Sequence, residues 1–136
     1  MILVVDCFKL VRGAGKSIGI YNLALNLVRN LVEEKARTKD SEIKQCRIVV
    51  LGNAYNEEEF NIPGVEFVCI EHDPLNKLRC IWWELFEVSF AARKYHADKM
   101  IHPRGYAPIL KMTKEYIVVH DMIPFYYDEH YKGYFN

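Results

Sequence analysis

"MILVV" (residues 1–5) is followed shortly by "VRGAGKSIGIYNLAL" (11–25), and how these two stretches are read decides the fold. A short, unbroken apolar run rich in branched residues predicts a strand buried on both faces. Gly13, Gly15 and Gly19 predict a turn in which the backbone can come close to a ligand. Beyond it, Ile20, Leu23, Leu27, Val28 and Leu31 fall on one stripe at helical spacing, predicting an amphipathic helix over 18–35. A strand, a glycine turn and a helix in that order open an α/β unit.

The rest of the chain repeats the alternation. "CRIVVLG" (46–52), "VEFVCI" (65–70), "DKMIH" (98–102) and "YIVVHD" (116–121) have the same strand character as "ILVVD" (2–6). A second helix is predicted over 78–95, apolar through Ile81, Trp82, Leu85, Phe86 and Phe90. "EEKARTKDSEIK" (33–44) reads as a solvated helix end and loop, and "YNEEEFNIPG" (55–64) as a loop closed by Pro63 and Gly64. The expected fold is therefore α/β: a Rossmann-like, doubly wound, mainly parallel sheet with helices on both faces, in one domain over 1–136. Ligands of such sheets bind at the carboxyl ends of the strands, here the loops after Val5, Leu51, Ile70, Ile101 and Val119.

Composition bounds the function. With 136 residues, 51% hydrophobic and 13% aromatic, the chain is expected to fold as a globular domain. Lys and Arg together number 18, as do Asp and Glu, which argues against a broad nucleic-acid face. Cys7, Cys46, Cys69 and Cys80 are scattered without a CxxC pair, so they are expected to be reduced thiols. No basic leader precedes an apolar core, and no apolar run approaches the ~18 residues of a membrane span. The expected location is cytoplasmic.

"GAGKS" (13–17) resembles the end of a phosphate-binding loop, G-x-x-x-x-G-K-[S/T], with "IVVHD" (117–121) imitating the metal-binding strand of nucleoside triphosphatases. The first glycine of that pattern would be residue 10, which is Leu, and Gly19 weakens the first turn of the helix such a loop should start. A nucleotide hydrolase or kinase using Gly15, Lys16 and Ser17 is the alternative reading.

A second resemblance covers more of the chain. Ser17-Ile18-Gly19-Ile20-Tyr21 followed by an amphipathic helix resembles the Gly-Ile-Gly-x-Tyr opening of the retaining GT-B glycosyltransferases of the "group 1" family (glycosyltransferase family 4), with serine replacing the first glycine. Val118-Val119-His120-Asp121-Met122-Ile123-Pro124 resembles the closing stretch of that family's N-terminal domain, where a strand ends in His-Asp before an aromatic helix. The two motifs bracket nearly the whole chain in the right order. The resemblance implies one half of a GT-B fold, the acceptor side. It implies His120 and Asp121 as catalytic-cleft residues and Gly13, Gly15, Ser17, Gly19, Tyr21, Arg104 and Gly105 as substrate-binding ones, with no cofactor and no metal.

It also implies partners. The nucleotide-sugar donor would be held mainly by a C-terminal domain with a Glu-x7-Glu motif. Glu34/Glu42 and Glu58/Glu66 have that spacing but lack its flanking glycines. The chain is thus expected to be the acceptor half, inactive alone, or else a non-catalytic subunit lent to a donor-binding chain. The acceptor would be a sugar or a lipid-linked sugar. "IWWELFEVSF" (81–90), flanked by Lys77, Arg79, Arg93 and Lys94, is compatible with contact at the inner membrane surface, although a helix this apolar is more often packed between the sheet and a neighbour. "EHDP" (71–74) and His120-Asp121 each pair a histidine with a carboxylate, too sparse for a metal site unless the fold joins them. The tail, with Tyr126, Tyr127, His130, Tyr131, Tyr134 and Phe135, predicts self-association or docking.

Overall fold

The computed structural model describes residues 1–13, 18–103 and 114–117. Five strands form one all-parallel sheet: β1 (Ile2–Asp6), β2 (Arg47–Gly52), β3 (Glu66–Cys69), β4 (Lys99–His102) and β5 (Lys114–Ile117). Their order, β3-β2-β1-β4-β5, is consistent with a Rossmann-like α/β sheet. The chain builds β1, β2 and β3 outward to one side, then returns across the sheet to lay β4 and β5 on the other.

Consecutive residues of β1 show why both faces need cover. Val4 and Val5 are fully buried and point to opposite sides, because side chains alternate along a strand. Val5 packs with Tyr21, Ala24, Leu25 and Val28 of α1 (Ile18–Arg37). Val4 packs with Cys80, Trp83, Val88 and Ala92 of the helix on the other face. That second helix has three parts without a break: α4 (Lys77–Trp82), a π-helical turn (Trp83–Glu87) and α5 (Val88–Lys94).

The π turn accounts for a difference from the sequence reading. The evenly spaced apolar stripe of this helix faces outward, with Ile81, Trp82 and Phe90 each more than half exposed and Leu85 and Phe86 partly covered. The face on the sheet is Cys80, Trp83, Val88 and Ala92, in which the step from 83 to 88 is five residues. One extra residue in a helical turn rotates the next stretch so that an irregular set of positions lines up on one face.

The face of α1 is also corrected. Tyr21, Ala24, Leu25 and Val28 are buried, whereas Leu23 is exposed. The loop expected over 55–64 contains a short helix, α3 (Glu57–Phe60), because Phe60 turns fully inward and meets the Tyr21 ring edge-on at 5.4 Å. The one expected over 33–44 contains another, α2 (Ser41–Lys44), capped by the Asp40 carboxylate accepting from Glu42 N and Ile43 N. Among the described residues no helix is long and apolar enough to cross a membrane. No disulfide joins Cys7, Cys46, Cys69 and Cys80 to one another.

Candidate functional site

The strand order creates one place where neighbouring loops diverge. β1 connects onward to β2 on one side, while its other neighbour, β4, belongs to the half of the sheet built after the return. Crevices of this kind, at the carboxyl ends of the strands, are where open α/β sheets hold ligands. The candidate site is therefore built by the ends of β1 and β4, the loop after β1, and whatever reaches them from the helix side.

The loop after β1 is folded inward. Cys7, Phe8, Leu10 and Val11 are all buried. Two buried amides from the loop after β2 hold it. Asn53 Nδ2 donates to Phe8 O at 2.7 Å and Leu10 O at 3.1 Å, and Asn56 Nδ2 donates to Cys7 O and Leu10 O, both at 2.9 Å. The two amides brace each other: Asn53 N donates to Asn56 Oδ1, and Asn56 N to Asn53 Oδ1. Gly52 makes room for this brace, because a Cβ there would meet the Phe67 ring and lie 2.7 Å from Asn56 Oδ1. A phosphate cradle needs glycine at residue 10, whereas Leu10 is a core side chain whose carbonyl is bonded to both amides.

At the strand ends, three ionisable side chains lie in a row. Asp6 ends β1, His102 ends β4, and Glu115 lies on β5; they share the face that carries Val4 and Met100. His102 Nδ1 is 3.6 Å from Asp6 Oδ2, and its Nε2 is 3.7 Å from Glu115 Oε1. The side chains of His102, Asp6 and Glu115 are only 4%, 13% and 5% exposed. Burial pushes the His102 pKa down, but the neighbouring Asp6 and Glu115 carboxylates outweigh it, so the net shift is upward from 6.5. An imidazolium between two carboxylates is the charge arrangement this geometry favours.

Asp6 is also held from the helix. Trp83 Nε1 donates to Asp6 Oδ1 at 3.0 Å, and the backbone N of Phe8 donates to the same oxygen at 3.3 Å. The next residue of the π turn, Glu84, accepts from Lys9 Nζ at 3.0 Å. Consecutive residues of the π turn thus grip the end of β1 and its loop. Beside them a hollow of about 220 Å³ is walled by Lys9, Pro74, Leu75, Lys77, Cys80 and Ile81. Cys7 is no nucleophile here, since full burial and then the Asp6 charge raise its pKa well above the ordinary value.

Of the residues picked out from sequence, Gly13 lies in the loop after β1 with φ +78°, a left-handed conformation that favours glycine, and with open space around it. Gly19 is exposed in the first turn of α1. Tyr21 is a core residue, 2% exposed, with its hydroxyl donating to Glu59 Oε1 at 3.0 Å and the Arg12 guanidinium over its ring at 4.3 Å. Burial first, then the Glu59 contact, pushes its pKa up to about 12. Gly15, Ser17, Arg104, Gly105, His120 and Asp121 lie outside the described residues, as does the aromatic tail. The sequence reading missed Asp6, His102 and Glu115 as a group. Among the described residues no group of three or more His, Cys, Asp and Glu side chains converges as metal ligands would.

No protein-family model, no curated protein and no solved structure matches the chain. A functional reading rests on the residues alone.

Proposed function

We propose that this chain is the acceptor-binding, N-terminal domain of a retaining GT-B glycosyltransferase. In this reading the nucleotide-sugar donor is bound mainly by a second Rossmann-like domain, and the chain alone does not catalyse transfer. The observation that supports it is the sheet order, which sets β1 beside β4 and opens the crevice next to the glycine turn at Gly13. In chain order Gly13 follows β1, Arg104 and Gly105 come directly after Pro103, and His120 and Asp121 come after β5, as the family's motif order requires. His120 would face the sugar being transferred, and Arg104 an anionic group of the substrate.

The hollow beside Lys9 and Lys77 has apolar walls and two cations, which suits an acceptor with a lipid chain and a phosphate. The exposed stripe of Leu78, Ile81, Trp82 and Phe90, edged by Lys77, Arg93 and Lys94, would lie against the anionic membrane carrying that acceptor.

The test is thermal melting of the purified chain with a panel of ligands. Short glycosides and lipid-phosphate sugars should raise the midpoint by several degrees at a hundred times their Kd, from a stabilisation of about 2.7 kcal/mol. His120→Ala should reduce that shift, and UDP-glucose, GDP-mannose and ATP·Mg should produce none. A shift with ATP·Mg or GTP·Mg that is abolished by Lys16→Ala would overturn the reading in favour of a nucleoside triphosphatase.

A further inference from the structure

β3 is an edge of the sheet: among the described strands it pairs with β2 alone. Ile70 N donates to Gly52 O at 2.9 Å, and the backbone groups of successive strand residues turn to alternate sides. Glu66, Val68 and Ile70 therefore face β2, while Phe67 and Cys69 direct their N–H and C=O groups off the sheet. Just before the strand, Val65 N is already bonded to Ile62 O at 3.1 Å, so the open run begins at Phe67. Natural edges are commonly guarded by lysine, proline or a charge that projects past the strand. β3 reads "EFVC", and its one charge, Glu66, is turned back onto β2, where Arg47 Nε and Nη2 donate to its oxygens at 2.8 and 2.7 Å.

The two ends of this edge differ in charge. Arg47 and Lys35 stand at the amino end, where the Glu66 carboxyl is held below its ordinary value, first by its bonds from Arg47 and further by the Lys35 charge. Lys35 and Lys44 also line a hollow of about 380 Å³ with Val32, Ala36 and Gly64, the last of which lies just before β3 in the chain. Glu57 and Glu71 stand at the carboxyl end, where the Cys69 thiol is pushed up, first by partial burial and then by those two charges. The edge runs from basic to acidic.

We propose that β3 is a self-pairing edge, through which two copies of this chain join antiparallel about a two-fold axis at Val68 and merge their sheets into one. The register follows from the open groups. Phe67 of one copy opposes Cys69 of the other, so every N–H and C=O that these residues direct off the sheet finds a partner. Centring the pair on Phe67 instead would set Cys69 against Val65, whose N–H is already bonded within its own chain. The antiparallel sense brings the acidic end of each edge to the basic end of the other. Carried past the strand, it sets Glu71 beside Val65 of the second copy, next to the hollow lined by Lys35 and Lys44. A second copy supplies this charge complement from its own sequence, and the contact closes on itself as a two-fold interface does.

The side chains of this segment are seated within their own copy. Val65 and Phe67 pack on the α1 face, and Val68 and Ile70 on the face of the other helix. Association therefore adds backbone hydrogen bonds and charge pairs more than apolar area, and it weakens as salt rises. β2 and β1 separate β3 from β4, so the join leaves the crevice between β1 and β4 open. The inference is independent of the glycosyltransferase reading.

The experiment is analytical ultracentrifugation of the full chain from low micromolar to near-millimolar concentration, with amide hydrogen exchange at both ends of that range. Expected is a monomer–dimer equilibrium in which the Phe67 and Cys69 amides gain protection with concentration and β1 amides do not. Cys69→Pro removes one outward donor at a position where an edge strand tolerates proline, and should give a monomer that melts like the wild type. Glu71→Lys should raise the dissociation constant roughly tenfold, and adding Lys35→Glu should restore it. A monomer at every concentration overturns the proposal, as does a dimer that survives Cys69→Pro, which would place the contact elsewhere. Should Cys69→Pro not fold, the charge pair decides: a weakening by Glu71→Lys that Lys35→Glu reverses supports the join, and indifference to both sinks it.

Discussion

Asn53 and Asn56, behind the loop after β1, and the row Asp6–His102–Glu115, at the ends of β1 and β4, are both buried polar clusters at the carboxyl edge of one sheet. The amide pair is neutral, with contacts between 2.7 and 3.1 Å to the carbonyls of Cys7, Phe8 and Leu10. The ionisable row spans longer gaps of 3.6 and 3.7 Å and depends on a proton. Hydrogen bonds between neutral groups fix geometry at any pH, whereas a row of charges holds only in the protonation state that balances it. The same edge therefore carries a rigid brace on the loop and a conditional one on the strands.

The comparison breaks most sharply at the amides. Asn56→Ala strips bonds from two buried carbonyls and from Asn53 N, and should cost about 3 kcal/mol in urea unfolding. The loss should be the same at every pH. Under about 1 kcal/mol, the brace would be incidental. Gly52→Ala attacks it indirectly by forcing aside Phe67 and Asn56, at about 2 kcal/mol. If the variant instead melts like the wild type, the loop after β2 has room to move that the packing does not show.

His102→Gln should behave differently in the same assay. Its deficit relative to the wild type should be largest at low pH and shrink as pH rises, because the raised pKa makes the wild-type contribution one that deprotonation removes. A constant deficit would make the row as rigid as the amides and erase the contrast. Smaller still, Tyr21→Phe removes one hydrogen bond to Glu59 and should cost about 1 kcal/mol by thermal melting.

The smallest effect belongs to the partly exposed Arg12–Glu59 pair. The Glu59 pKa is lowered, first by its bond from Arg12, so that contribution is present above the ordinary carboxylate range and fades as pH falls through the lowered value. A Glu59→Gln variant should differ from the wild type near neutrality and converge with it in acid. The two pH trends are opposite in sign, which separates them in one titration.

Much of the sheet was legible because strands buried on both faces need continuous apolar runs, and "ILVVD" and "CRIVVLG" are such runs. Faces of helices were less so. The stripe Ile81, Trp82, Leu85, Phe86 and Phe90 satisfies helical periodicity and still points away from the sheet, because no local pattern announces a π turn. On α1 the inner face includes a tyrosine and an alanine, Tyr21 and Ala24, while Leu23 faces outward.

The candidate site was legible in part. Gly13 announces itself as a turn residue after a strand. Asp6 and His102 end their strands just as His120-Asp121 ends "IVV" in sequence, and that shared pattern was the available signal. What no one-dimensional reading supplies is that β1 and β4 become neighbours, which converts two separate strand ends into one row. Asn53 and Asn56 look like ordinary loop polarity until the carbonyls they bind are seen.

The π turn has a consequence for insertions and deletions. Removing any one residue from 83–87 would leave composition and apolar content almost unchanged and would restore a regular helix. The step across the turn to Val88 would fall from five residues to four, about 400° of regular helix, so Val88 and Ala92 would stay on the sheet. A single deletion is thus absorbed, whereas winding all five residues as regular helix would set Val88 about 140° away from the Trp83 face and carry the rest of the helix off the sheet. What these five positions must keep is the match between their number and the way they wind.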